Sequence, residues 1–193
     1  MKLVFAAENI TSKIIELAKG KVDTSQLNIP PPVLLFILGV AGGMTSGAIL
    51  NFPFTLGEEL GWRGLLLKEV QSLGFWKSNL LIGTIWGLWH MPIILMGHNY
   101  PHYPILGSLM MMPFCISLSF IQSILRLRSR TVFAPAVFHG MINAGAPITL
   151  IYTINNNELF GSVVGIAGIA AGLIVTLAYL MTDKRFVVQY KEL

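Results

Sequence analysis

The sequence predicts an all-α, polytopic transmembrane helical bundle of about six spanning helices. Three observations carry that expectation. Of the 193 residues, 54% are apolar and 11% charged, where a soluble domain carries about a quarter charged residues, and the mean hydropathy is +0.68. Six apolar segments, at 33–53, 54–72, 78–97, 104–125, 131–153 and 160–181, each approach or exceed the ~20 residues that a helix needs to cross a bilayer. Helix is the economical form there, because lipid offers backbone polar groups no partner. The basic residues, finally, lie between the segments rather than on one exposed face.

The elements follow in order. The lead-in, 1–32, is the least apolar part: Lys2, Lys13, Lys19 and Lys21 offset Glu8, Glu16 and Asp23, and Pro30, Pro31 and Pro32 stop any helix before the first apolar run. It reads as an amphipathic or flexible segment on the membrane surface, with room for a short helix near Lys13. Its apolar stretch is too short for an export signal, and Glu8 stands where a small-residue cleavage site belongs. A single helical domain then occupies 33–185, and a cytoplasmic tail occupies 186–193. Gly39, Gly43 and Gly47 on the first segment, and Gly161, Gly165, Gly168 and Gly172 on the last, have the spacing that lets helix backbones approach, and they read as packing alone. The single cysteine, Cys115, excludes an intrachain disulfide and a cysteine metal knuckle.

Charge placement orients the segments. With a cytoplasmic amino terminus and six alternating crossings, twelve of the thirteen Lys and Arg residues fall on the cytoplasmic side. The opposite loops, Gly97 to Tyr103 and Asn155 to Leu159, hold none, as the positive-inside rule requires. The expected location is therefore integral to a membrane with both termini cytoplasmic. The net charge of +4 is too scattered to form a phosphate-binding face, so no nucleic-acid partner is expected.

The thirteenth basic residue, Arg63, lies inside the second segment, where an ionisable group marks a functional site by default. Polar residues interrupt three segments: Glu58, Glu59 and Arg63; Trp86 and His90; His139 and Asn143. Glu59 and Arg63 are four apart and stack on one helix face, where they pair. That leaves Glu58 as the reactive carboxylate, because a buried carboxylate without a counter-ion readily accepts a proton. His139 and Asn143, also four apart, aim at one point. At 1.5 Å rise per residue, Glu58 lies ~15 Å, His90 ~20 Å, His139 ~14 Å and Asn143 ~20 Å from the nearest basic loop. Four such groups in one layer predict one site. Trp62, Trp86 and Trp89 read as packing, and His98 and His102 as solvated loop residues.

A carboxylate and an imidazole can deprotonate water, while a second imidazole and an amide donate to the oxyanion that forms on an attacked carbonyl. The same residues leave a zinc site of Glu58, His90 and His139 open as an alternative, although the zincin pattern H-E-x-x-H is absent. A buried relay for ions fits less well, since the polar groups form a layer and not a chain across the membrane.

Over 54–145 the sequence resembles the CPBP family of intramembrane peptidases, which includes type II CaaX prenyl endopeptidases and bacterial Abi-like proteins linked to bacteriocin processing or immunity. The resemblance rests on Glu58-Glu59-x-x-x-Arg63, on Trp86-x-x-x-His90 and on His139-x-x-x-Asn143. Trp86 stands where the family usually has Phe. The resemblance implies an intramembrane endopeptidase in which Glu58 and His90 activate water, His139 and Asn143 form the oxyanion hole, and Glu59 and Arg63 support the site. It implies no cofactor, a peptide or protein substrate reached through the membrane, and a bacterial or archaeal plasma membrane. A non-catalytic membrane binding or immunity protein with the same polar pocket is the alternative.

Overall fold

The computed structural model describes residues 2–3, 6–18, 28–154, 157–188 and 190. Lys19, Lys21, Asp23, Asn155 and most of the tail after Val188 lie outside the described residues. Helices run as α1 (Ala7–Ala18), α2 (Pro32–Ile49), α3 (Phe52–Glu59), a π-helical stretch (Leu60–Leu66), α4 (Leu67–Val70), a 3-10 turn (Gln71–Leu73), α5 (Phe75–Leu95), α6 (Pro104–Ser129), α7 (Phe133–Gly145), α8 (Ile148–Ile151), α9 (Glu158–Gly161), α10 (Ile166–Thr182) and α11 (Arg185–Val188). A two-residue antiparallel pairing of β1 (Lys2–Leu3) with β2 (Thr153–Ile154) is a local clasp and leaves the all-α class intact.

Pro32–Ile49, Phe75–Leu95, Pro104–Ser129 and the run Glu158–Thr182 are long and apolar enough to cross a membrane. The chain is an integral membrane protein built as a polytopic helical bundle. The other two apolar segments are made of pieces. The stretch 54–72 is helical throughout but changes from α to π at Leu60, and it carries Glu58, Glu59, Arg63, Lys68 and Glu69. The stretch 131–153 ends its helix at Gly145, two residues before Pro147, and resumes as the single turn of α8.

The bundle centres on α5 and α6, which pack along their lengths. Glycines make this approach possible: a Cβ on Gly83 would lie 2.4 Å from Ile116 Cα, and one on Gly87 2.6 Å from Met112 Cα. Tyr100, fully buried, donates its hydroxyl to the Val164 carbonyl at 2.6 Å and pins the α5–α6 loop to the start of α10. At the other end, Phe75, Phe120, Ile124 and Leu180 enclose Tyr190.

The first two segments do not fold back on each other. Leu50 and Asn51 keep right-handed helical backbone angles, and Pro53 removes one N–H at the start of α3, so the chain bends there without reversing. Instead α2 lies antiparallel along α7. Gly47 meets Gly140 and Met141, Gly43 meets Ala144 and Gly145, and Gly39 meets Ile148; Tyr152 then donates its hydroxyl to the Pro32 carbonyl at 2.7 Å. Pro32 and the β1–β2 clasp therefore sit at the end of the bundle that also holds the Gly97–Tyr103 loop. Tyr190 sits at the end that holds Lys68 and Arg126. The described ends of the chain therefore lie at opposite ends of the bundle: alternation assumes a reversal at every apolar boundary, and the boundary at Asn51 is a bend. Within the lead-in, Ile10 of α1 is 1% exposed and α1 rests on α8.

Candidate active site

The bend after α2 delivers Glu58 and Glu59 to the interior on consecutive positions, about 100° apart around the helix, and their surroundings differ accordingly. Glu59 is wholly buried. Its Oε1 accepts from Arg63 Nη1 at 3.1 Å and from His139 Nδ1 at 3.0 Å. Arg63, equally buried, uses Nη2 to donate to Ser119 Oγ at 3.0 Å and lays its guanidinium 4.7 Å from the centre of the Trp86 ring. A buried ion pair needs this number of partners, because each charge is otherwise uncompensated in a low-dielectric interior. The pairing expected of Glu59 and Arg63 is present, and it survives the passage from α to π helix between them.

Glu58 is half-buried and takes a different partner: the indole N–H of Trp86 donates to its Oε2 at 3.1 Å. Trp86 is 2% exposed and also fixes His90, whose Nδ1 lies 2.9 Å from the Trp86 carbonyl one turn back on α5. A carbonyl only accepts, so Nδ1 carries the proton there and the neutral ring keeps its lone pair on Nε2. The same logic at the Glu59 carboxylate puts a proton on His139 Nδ1. The edge of Trp86 meets the His139 ring with centroids 5.1 Å apart.

Glu58, His90, His139 and Asn143 all line one chamber of about 380 Å³. The layer inferred from helical rise is thus one site in space, with Glu59 and Arg63 beneath it. Asn143 is on the exposed side of α7 and faces the chamber's mouth. Among the described residues, no three His, Cys, Asp or Glu side chains gather closely enough to hold a metal ion.

Four contributors were not legible as site residues. Trp86 reads as packing in the sequence but touches Glu58, Arg63, His90 and His139. Asn51 lines the chamber and donates to the Gly140 carbonyl at 3.3 Å, tying the bend to α7; its place at the boundary of two apolar segments was the available signal. Ser119 is one serine of several on α6, and nothing in its spacing marks it. His98, expected in solvent, is exposed yet forms part of the chamber wall, while His102 pairs with Glu158 through Nδ1 and Oε1 at 2.5 Å.

Residues 29–145 match the family described as type II CAAX prenyl endopeptidase Rce1-like. A similar protein, "CAAX prenyl protease 2" of Methanococcus maripaludis, is 31% identical over 97 residues, which cover 45% of this chain and 34% of that protein. The chain thus matches about a third of its relative's length. No solved structure matches. The family match takes in more than half of the chain and all seven named residues of the three motifs, and the chain belongs to the type II CAAX prenyl endopeptidase Rce1-like family.

Proposed function

We propose that the chain is an intramembrane endopeptidase in which Glu58 and His90 activate a water for attack on a peptide carbonyl. The observation that carries this reading is the shared anchor. Trp86 holds one carboxylate oxygen of Glu58 and one nitrogen of His90, which leaves each with one proton-accepting atom at the same chamber. Two such acceptors can orient one water and take its proton as the oxygen attacks. The negative charge then moves to the carbonyl oxygen, where Asn143 Nδ2 and a protonated His139 Nε2 are the donors within the chamber. A ring that donates from both nitrogens carries a positive charge, and it faces the same Glu59 Oε1 that Arg63 uses. Collapse of the tetrahedral species breaks the C–N bond, and the proton taken from water passes to the leaving amine.

The reading runs without a metal; in the zinc alternative the ligands would be Glu58 and the Nε2 atoms of His90 and His139, whose Nδ1 atoms are held by the Trp86 carbonyl and by Glu59, and chelation separates the two. The membership of the family and the name of the relative support a CAAX-type protease activity. Comparing membrane-bound and secreted peptides from cells carrying the wild type or Glu58→Gln tests it. Peptides that accumulate uncleaved only in the variant support a peptidase, whereas identical peptide sets point to a binding protein.

A further inference from the structure

The Glu59–Arg63 pair has the chamber on its carboxylate side, where His139 meets Glu59, and a second polar cavity on its arginine side. That cavity, of about 590 Å³, lies between the stretch from Arg63 to Gln71 and the end of α6. Lys68, Arg126 and Arg130 line it together with Arg63, and no Asp or Glu does. Glu69, the acidic neighbour of Lys68 in the chain, is not part of its wall. The chamber is the reverse, with Glu58 and no Lys or Arg. The two share no lining residue, so the signs of charge are segregated between them.

Basic side chains at a helix end commonly answer its carbonyls, and Arg126 does so: its Nε donates to the Arg63 carbonyl at 3.3 Å. Both Nη groups of Arg126 are left without a partner among the described residues. Lys68 and Arg130 have neither a hydrogen-bond nor an ion-pair partner there. Arg63 adds a further donor, since Nη1 and Nη2 are taken by Glu59 and Ser119 while its buried Nε has no partner. Arg130 ends α6 at φ 57, a left-handed conformation that suits glycine and is costly for a side chain. Ending the helix therefore does not account for an arginine at that position. Three uncompensated cations around one concavity repel one another, and low-dielectric walls magnify both that repulsion and the gain from an anion that relieves it.

We propose that this cavity is a binding site for a phosphate group, supplied by the headgroup of an acidic phospholipid. The π-helical stretch and the 3-10 turn after α4 expose Leu60, Leu65 and Leu73, so the cavity borders surface that lies against lipid. Leu67 and Leu127 add apolar wall beside the cations. A phosphate held there leaves its acyl chains in the bilayer, and basic pockets between membrane helices recognise lipid headgroups in this way. The site stands apart from the peptidase reading, and its test involves no cleavage.

The full chain, purified in a neutral detergent, is unfolded thermally with dihexanoyl phosphatidylglycerol, with dihexanoyl phosphatidylcholine, or with inorganic phosphate against chloride of equal ionic strength. The wild type should gain about 5 °C from saturating phosphatidylglycerol and much less from phosphatidylcholine. Lys68→Gln with Arg130→Gly removes two lining cations and should lose most of that gain. Lys77→Gln with Lys184→Gln removes two exposed cations outside the cavity and should keep it. Glycine suits position 130, so the first pair should match or exceed the wild-type midpoint without lipid. Lys68→Gln alone, at an exposed position, carries the test if the pair does not fold, and should lose part of the gain. A gain from inorganic phosphate equal to that from phosphatidylglycerol, and dependent on Lys68 and Arg130, supports the phosphate site and overturns its lipid source. Equal gains from the two lipids, or the same loss in both paired variants, overturn the site.

Discussion

Glu58 and Glu59 are chain neighbours whose fates are set by what the opposite helices present. Glu59 meets Arg63 and His139, and Glu58 meets an indole N–H and the chamber. Glu59→Gln leaves Arg63 a buried cation without its carboxylate, which costs about 3–5 kcal/mol when one partner of a buried pair is removed. The expected result is a clear loss of folded protein in detergent, read by size-exclusion profile; full yield would contradict the assigned pairing. Trp86→Phe is a finer test. It keeps the aromatic bulk and the backbone carbonyl that holds His90, and deletes only the donor to Glu58. A hydrogen bond to a charged group contributes about 1.5–3 kcal/mol. The cleavage rate should therefore fall at least tenfold at near-normal folded yield and with little change in KM. An unchanged kcat would make Trp86 a packing residue after all. The Glu59–Arg63 pairing was legible because four-residue spacing fixes it within one helix, whereas the role of Trp86 depends on which helix faces α5 and has no mark in the local sequence.

At the level of elements, glycine spacing was legible as a sign of close packing, but its partners were not. Gly43 and Gly47 let α2 approach α7, and the close approach at the centre of the bundle, at Gly83 and Gly87, falls on α5, outside the predicted stripes. Gly83→Ala places a methyl against the Ile116 backbone and should destabilise the bundle by about 1–3 kcal/mol. A methyl on Gly57 of α3 would meet nothing within 4 Å, so Gly57→Ala should raise stability by up to about 1 kcal/mol through helix propensity. Thermal unfolding of both variants in the same detergent checks the pair, and the two shifts must have opposite signs. The segment boundary at Asn51 misled for a physical reason. Proline near a helix start is equally compatible with a turn and with a bend, and only the contact of α2 with α7 decides between them.

For the whole molecule, composition alone was enough to reveal a membrane-embedded helical bundle, because no packed soluble core tolerates so few charges. The depth of the polar groups was legible too, since helical rise converts sequence distance into height. The path of the chain through the bundle was not. With α2 and α3 bending instead of reversing, the described ends lie at opposite ends of the bundle. Reporter tags on the two termini are therefore expected on opposite sides of the membrane, the carboxy-terminal one in the cytoplasm; two tags on the same side would contradict the bend.

The account turns on water activation by two groups that share one anchor. Its most direct test is the single-turnover cleavage rate of an internally quenched prenylated peptide by purified protein in lipid nanodiscs. The wild type is compared with Glu58→Gln and His90→Ala, each before and after exhaustive chelation. Loss of a positioned acid–base group costs about 10²–10⁴-fold in rate. Both variants should show that loss while folding normally, and chelation should leave the wild-type rate unchanged. Wild-type rates in either folded variant, or activity lost on chelation and restored by zinc, would contradict it.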